Sequence, residues 1–397
     1  MSYHLASSVE DLPYSFAHLD DLMEAAGLDV LMITSKHNVK YLLGGHQFIF
    51  FTAMDAIGHS RYLPYLLYFK GAVDKTGYVG NVMEAGEHRN HPFWVPHFMP
   101  ASWGSTDATQ AALAHLKEMG VASPRIGLER AFIPSDAHDM IVDAYPNAML
   151  SDAGDILETL RAIKSEKELT LLRRASDGIT DAMQATMAAT RAGDSKTDII
   201  ERLRREETNR GLAFDYCLLT LGSSHNRAAG PQTLAEGEII SMDSGGNLHG
   251  YIGDICRMGI LGEPDSELND LLNEVETVQQ AAFGKVRAGT TAGDVIAYAQ
   301  SVMQANPNSA CTDFFGHGMG LISHEAPFIM TNHPVRYDGT DADKPLQTGM
   351  VLSLETTMLH PTRGFIKLED TVTVTDTGYE MFGTTGRGWN AVGSASV

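Results

Sequence analysis

The sequence predicts an α+β protein of two domains, and three observations lead there. Over residues 1–155, short apolar runs alternate with amphipathic stretches, the pattern of a small α/β layer domain. Over residues 156–397, two long helical patterns give way to strand-rich segments. At the centre of that second part, residues 241–257 read as two strands around a Gly-rich turn at Gly245, Gly246 and Asn247, with Asp243 on one strand and Asp254 on the other.

Taken in order, residues 16–27 have helical spacing, with Phe16, Leu19, Leu22 and Met23 on one face and Gly27 as the stop. Residues 28–34 form a continuous apolar run, a buried strand, and residues 62–70 read as another. Residues 84–103 gather His88, His91, His97, Phe93, Trp94, Phe98 and Trp103 among prolines. No helical or Cys-like spacing organises these histidines as ligands, so the segment reads as an irregular ordered loop. A helix over 107–120, a strand over 125–129 and a helix over 135–145 with Ser135 as N-cap complete the first domain.

Residues 155–164 read as a connecting helix. Ser165 and Glu168 then form a capping box that opens a helix to about residue 190. Its stripe of Leu169, Leu172, Ala175, Ile179, Met183 and Met187 is core packing. Residues 196–210 give a second helix with Ile199, Ile200 and Leu203 inward, and 214–221 a strand. Helices over 266–286 and 291–304, the latter with Asp294 in its first turn, follow the hairpin.

Composition narrows the function. The 397 residues are 43% hydrophobic and carry a net charge of −21. An acidic chain is a poor partner for nucleic acid or an anionic membrane surface, both of which select basic patches. No apolar run reaches spanning length. No basic stretch followed by an apolar core stands at the N-terminus, so the cytoplasm is the expected compartment. The three cysteines, Cys217, Cys256 and Cys311, are scattered and odd in number, giving neither a disulfide framework nor a thiolate zinc site.

The chemistry starts from the hairpin. A carboxylate is costly to bury alone, and two brought close repel unless a proton or a cation lies between them. A metal pair is the economical answer, and three later stretches offer further ligands. His317 lies between glycines in Phe-Phe-Gly-His-Gly-Met-Gly, Glu355 ends Val-Leu-Ser-Leu-Glu, and Glu369 sits within Phe-Ile-Lys-Leu-Glu-Asp. Four carboxylates and one imidazole form a hard donor set suited to two divalent ions, Mn first, with Co, Fe or Zn as alternatives.

The order Asp, Asp, His, Glu, Glu, together with the Gly-His-Gly-Met-Gly and His-Glu-Ala-Pro segments, resembles the creatinase/prolidase/aminopeptidase P family of pita-bread metallohydrolases. Residues 35–45 and the junction at 157–168 are similar to that family as well. The resemblance implies a creatinase-like domain over 1–155, a pita-bread catalytic domain over 156–397, and a homodimer. It makes Asp243, Asp254, His317, Glu355 and Glu369 the metal ligands, with Glu355 also moving the proton. It makes His324 a donor to the developing oxyanion. A further family histidine precedes the first aspartate; His225 is the candidate, although Asn226 occupies the strict spacing.

Four positions depart from the family pattern. Glu355 is followed by Thr356 and Thr357 where the family often has Pro-Gly, Lys367 stands for its usual Arg, and Cys256 for its usual Thr. Arg offers a planar fork and Lys a point charge, so that exchange is not neutral.

The expected activity is hydrolysis of an amide bond by a metal-activated water, with Xaa-Pro in a short peptide as first substrate. The alternatives are a related metalloenzyme on a small non-peptide substrate, by C–N hydrolysis or elimination, and a non-catalytic peptide-binding module. Creatinase lacks the ligand set that is complete here. The methionine aminopeptidases, which share the catalytic domain, lack an N-terminal domain of this size. The aromatic segment at 84–103 is expected to shape substrate choice, because in the resembling family one subunit's N-terminal domain faces its neighbour's site.

Overall fold

The structure, a computed structural model, describes residues 8–53, 55–56, 58–122, 124–330 and 340–394. The chain divides into two compact units, residues 1–161 and 162–397.

The first unit is built on a mixed sheet of six strands: β1 (Val30–Ile33), β2 (Tyr65–Phe69), β3 (Gly77–Gly80), β4 (His97–Pro100), β5 (Arg125–Leu128) and β6 (Met149–Asp152). Their order across the sheet is β4-β3-β2-β1-β5-β6. Val30, Met32, Tyr65, Leu67, Val79, Ile126 and Leu128 meet Ala108, Ala112, Leu116 and Ile141 from the flanking helices in one core. Those helices span Ser105–Glu118 and Ser135–Ala144. Ser135 begins its helix rather than capping it: Pro134 holds the cap position and makes no side-chain bond there. Residues 84–103 are more regular than their composition suggests, with a short helix, Ala85–Asn90, and the edge strand β4. Trp94 is buried, its indole nitrogen donating to the Leu42 carbonyl at 2.8 Å, whereas Trp103 is exposed.

In the second unit the Ser165–Glu168 capping box opens the helix Glu166–Ala189, and a second helix runs Lys196–Asn209. The eight-stranded sheet contains β7 (Ala213–Leu221), β8 (Ile239–Leu248), β9 (Tyr251–Ile260), β10 (Thr312–Gly318), β11 (Val351–His360), β12 (Gly364–Val374), β13 (Tyr379–Met381) and β14 (Asn390–Ala391). Its main path is β10-β11-β12-β9-β8-β7, all antiparallel, with β13 beside β12 and β14 beside β9. Helices Ser266–Phe283 and Ala292–Gln304 pack on it, and Val275, Val278, Ala282, Val295 and Ala299 bury against strand residues such as Leu352, Leu354 and Leu368. Among the described residues, no helix is long and apolar enough to cross a membrane.

The hairpin turn is not where the glycine count places it. Residues 245–247 lie inside β8, and the turn is His249–Gly250, with φ of 54° and 91°. Positive φ at both central residues matches the twist of a two-residue hairpin. Gly245 and Gly246 serve packing instead. A Cβ on Gly245 would lie 2.3 Å from the Tyr216 ring, and one on Gly246 2.6 Å from Glu207 Oε2.

Glu207, fully buried in the last turn of helix Lys196–Asn209, has consequences for stability. The Ser244 hydroxyl lies 3.0 Å from Glu207 Oε1 and 2.6 Å from the Tyr216 carbonyl. Ser244 has one proton to give and the carbonyl can only accept, so a protonated Glu207 completes both bonds. Burial pushes this carboxyl up to about 8, and the charge of Asp215 adds to the rise. Between the ordinary carboxyl value of 4.5 and about 8, the folded chain therefore holds a proton that the unfolded chain has lost. Stability from this group falls as pH rises through that window. In Glu207→Gln, whose amide copies the protonated acid, urea titrations from about pH 5 to 9 are expected to lose much of that decline. The gain over the parent at about pH 9 is on the order of a few kcal/mol.

Candidate metal centre

Sheet register gathers the five residues. Asp243 pairs with Cys256, Cys256 with Glu369, Glu369 with Glu355, and Glu355 with Phe315, one row across β8, β9, β12, β11 and β10. Directly paired residues share a face, and so do residues two apart on one strand. Asp254 is two from Cys256. His317 pairs with Ser353, which is two from Glu355. All five predicted ligands therefore project from the same side of the sheet. Atoms of Asp254, His317 and Glu369 lie within 4.8 Å of one another, a grouping that could hold an ion.

The opposite face answers with its own charges. Arg257 and Asp370, each one residue on, point the other way and pair at 2.6 Å, fully buried. Arg257 also donates to the carbonyls of Cys256, Glu369, Gly383 and Thr385. A second guanidinium, that of Arg387, reaches the other oxygen of Asp370.

The five side chains open onto a cavity of about 790 Å³, also lined by Tyr216, Arg227, Phe315, His324, Phe365 and Lys367. That volume is in the range of small-ligand sites. His317 Nδ1 is 3.1 Å from the Gly318 carbonyl and must donate to it, which leaves the Nε2 lone pair facing Glu369 Oε1 at 3.6 Å. Asp254 Oδ2 accepts from Ser323 at 3.1 Å, while its buried Oδ1 has no hydrogen-bond partner. An orphaned carboxylate oxygen beside an aimed imidazole lone pair is a donor set that fits a divalent cation. Ser353 orients Glu369 through a 2.8 Å bond to Oε1.

The ammonium of Lys367 lies among these carboxylates. It is 2.6 Å from Asp243 Oδ2 and 2.7 Å from Glu369 Oε2, and it also pairs with Glu355. Burial opposes its charge, but Asp243, Glu355 and Glu369 outweigh that and raise it well above the ordinary lysine range. Burial and the nearby charges of Glu369 and Asp243 push Asp254 well above the ordinary carboxylate range. Glu369, despite its burial, is held far below it by the Lys367 ammonium beside it. Burial and the charge of Glu369 raise Glu355.

His324 lines the cavity with its ring stacked on His317, centroids 3.9 Å apart. His225 does not line it. That side chain is exposed and donates from Nε2 to the His360 carbonyl at 3.1 Å. Arg227 comes in instead. Lys196 donates to the Asn226 carbonyl and Leu219 N–H to that of Arg227, fixing the loop. The guanidinium then pairs with Asp243 and lies over the Phe365 ring, 4.9 Å from its centroid. Tyr216, which lines the cavity and whose hydroxyl is kept protonated by burial, was not foreseen either. Strand alternation was the available signal for Lys367, two residues from Glu369 and so on the same face. Nothing in a one-dimensional pattern marks Arg227 or Tyr216.

Comparison with known proteins identifies the family of the chain. The model for metallopeptidase family M24 matches residues 170–376, and that for the creatinase/prolidase N-terminal domain matches residues 16–163. The chain belongs to metallopeptidase family M24. A probable dipeptidase, PepE, of Mycobacterium tuberculosis is 30% identical over 236 residues, 57% of this chain and 60% of that protein, so the match spans less than two thirds of its length. An Xaa-Pro dipeptidase of Pyrococcus horikoshii is 24% identical over 90% of this chain and 93% of its own. Among solved structures, the Xaa-Pro dipeptidase from Bacillus anthracis superposes with a TM-score of 0.78 at 19% identity, over 95% of this chain and 99% of that one. An X-Pro aminopeptidase from Thermotoga maritima gives 0.77 at 19%, with the same coverage. These likenesses establish the fold of this M24 chain: a creatinase-like N-terminal domain followed by a pita-bread domain, as the sequence predicts.

Because Asp254 supplies the orphaned oxygen, Asp254→Asn is expected to weaken binding of Mn(II) by about a hundredfold or more. Isothermal titration on metal-stripped protein measures it, with circular dichroism as the check on folding.

Proposed function

We propose that this M24 protein is a metal-dependent hydrolase that cleaves the amide bond of a short peptide, with Xaa-Pro as the preferred sequence and Mn(II) as the working ion. The observation that carries the reading is the convergence of Asp243, Asp254, His317, Glu355 and Glu369 on one sheet face, inside a cavity of small-ligand size. The names of the dipeptidase relatives support the substrate class.

A divalent ion in such a donor set supplies a Lewis acid and brings the pKa of a bound water toward neutrality. The protein's own groups do the rest. Glu355, partly open to the cavity and with its carboxyl raised, accepts a proton from the attacking water and returns it to the leaving nitrogen. His324, stacked on His317, donates to the oxygen that gains charge as the carbonyl is attacked. Lys367 holds Asp243, Glu355 and Glu369 together, so the carboxylates keep their places without mutual repulsion. Phe315 and Phe365 give the cavity apolar walls against which a proline ring can pack.

A second reading, hydrolysis of a small anionic non-peptide amide, is favoured by Arg227. Its guanidinium reaches the cavity with Nε lacking a hydrogen-bond partner. We also propose a homodimer, supported by exposed Ile49, Met83 and Trp103 on the first unit. Size-exclusion chromatography with light scattering tests it.

A panel of Xaa-Pro dipeptides, other dipeptides, longer Xaa-Pro peptides and non-peptide amides, offered to Mn-loaded protein, tests the assignment. Release of free proline is the expected result, and a loaded enzyme that cuts only non-peptide amides shifts the assignment to the second reading. His324→Ala is expected to lower kcat by about 10²–10³-fold while leaving ion content unchanged. Lost ions in that variant would make His324 structural.

A further inference from the structure

We infer that this site holds one divalent ion tightly rather than two, because the Lys367 ammonium and the Arg227 guanidinium occupy the carboxylates a second ion would need. The inference rests on the metal-dependent reading above and revises the two-ion expectation from the sequence.

Geometry comes first. The grouping able to take an ion is Asp254, His317 and Glu369. Asp243 and Glu355 are not in it. Both are engaged by Lys367, which sits 2.6 Å from Asp243 Oδ2, pairs with Glu355, and lies 2.7 Å from Glu369 Oε2. Arg227 pairs with the same Asp243 oxygen. Asp243 Oδ2 thus has two cationic partners already, whereas Asp254 Oδ1 has no hydrogen-bond donor.

Charge points the same way. Lys367 and Arg227 already set two fixed positive charges against the acids of this face. A second divalent ion would have to sit beside the buried Lys367 ammonium, and like charges crowded in a buried site are strongly unfavourable. Asp313, the other acid lining the cavity, is exposed and screened by water.

Lys367 also lacks an easy way out. Its side chain is 4% exposed, it shares the ligand face by strand alternation, and among the described residues its ammonium pairs with these three carboxylates alone. A second ion would have to displace the ammonium from all of them and leave it buried without a partner. Arginine has a longer side chain that ends in a planar fork, so it does not present the same compact charge at this point. The ammonium of lysine is ion-like in size and charge distribution, and here it stands where an ion would stand.

The test is a stoichiometry. Full-length protein stripped with dipicolinate and titrated with Mn(II) is read by calorimetry, by elemental analysis after desalting, and by electron paramagnetic resonance. One ion per chain is expected, with any second at least a hundredfold weaker, and an uncoupled six-line Mn(II) spectrum. Two ions of similar affinity with an exchange-coupled spectrum would overturn the inference and leave metal dependence standing. No ion at all would overturn both. Lys367→Met, checked for folding by circular dichroism, is expected to take up a second ion, and a folded variant that still binds one would overturn the role given to Lys367. Should that variant fail to fold, the stoichiometry of the unaltered protein decides the matter alone.

Discussion

The arrangement depends on burying four carboxylates on one face of a sheet. Unpaired, each would be costly, and side by side they repel. Lys367 answers this within the chain itself: one ammonium touches three of the four and lets β8, β11 and β12 bring their acids into a single row. The fourth, Asp254, keeps a bare oxygen beside the His317 lone pair. The sheet is therefore held together and left with one unmet electrostatic demand, and that demand defines the site.

Alternation along the strands makes this affordable. Glu369 faces the cavity and Asp370 the helices; Cys256 lies on the same face as Glu369, and Arg257 faces the helices. A one-residue step thus separates an acidic layer from an arginine–aspartate layer a sheet's thickness away. A slip of register by one residue would exchange the two layers and place unpaired acids against the apolar helices. Such a penalty specifies the register far more strongly than hydrophobic patterning alone.

Much of this was legible in the sequence because strands write their faces in steps of two and ligands stand out among apolar neighbours. The five candidate ligands, the Ser165–Glu168 cap and the helices that follow it are all local patterns. What was lost was lost for physical reasons. The hairpin turn was placed on Gly245–Asn247, but those glycines answer the Tyr216 ring and the Glu207 carboxyl, which lie on other elements. The regular pieces within 84–103 are hidden by aromatic and proline content, since β4 depends on pairing with β3 rather than on its own propensity. His225 was the candidate as the histidine beside the strict spacing, yet a loop can turn any of several neighbours inward, and here the anchored carbonyls of Asn226 and Arg227 turn in the arginine.

Arg257 lies on the far side of the sheet from the chemistry, yet it clasps the backbones of Cys256 and Glu369 and reaches forward to the carbonyls of Gly383 and Thr385. Those two carbonyls follow all five converging residues in the chain. Without them the clasp is half made, and the guanidinium loses two of its backbone acceptors. The floor beneath the acidic row is thus closed by backbone from near the end of the fold, so a change at Gly383 or Thr385 can tilt side chains that neither residue touches.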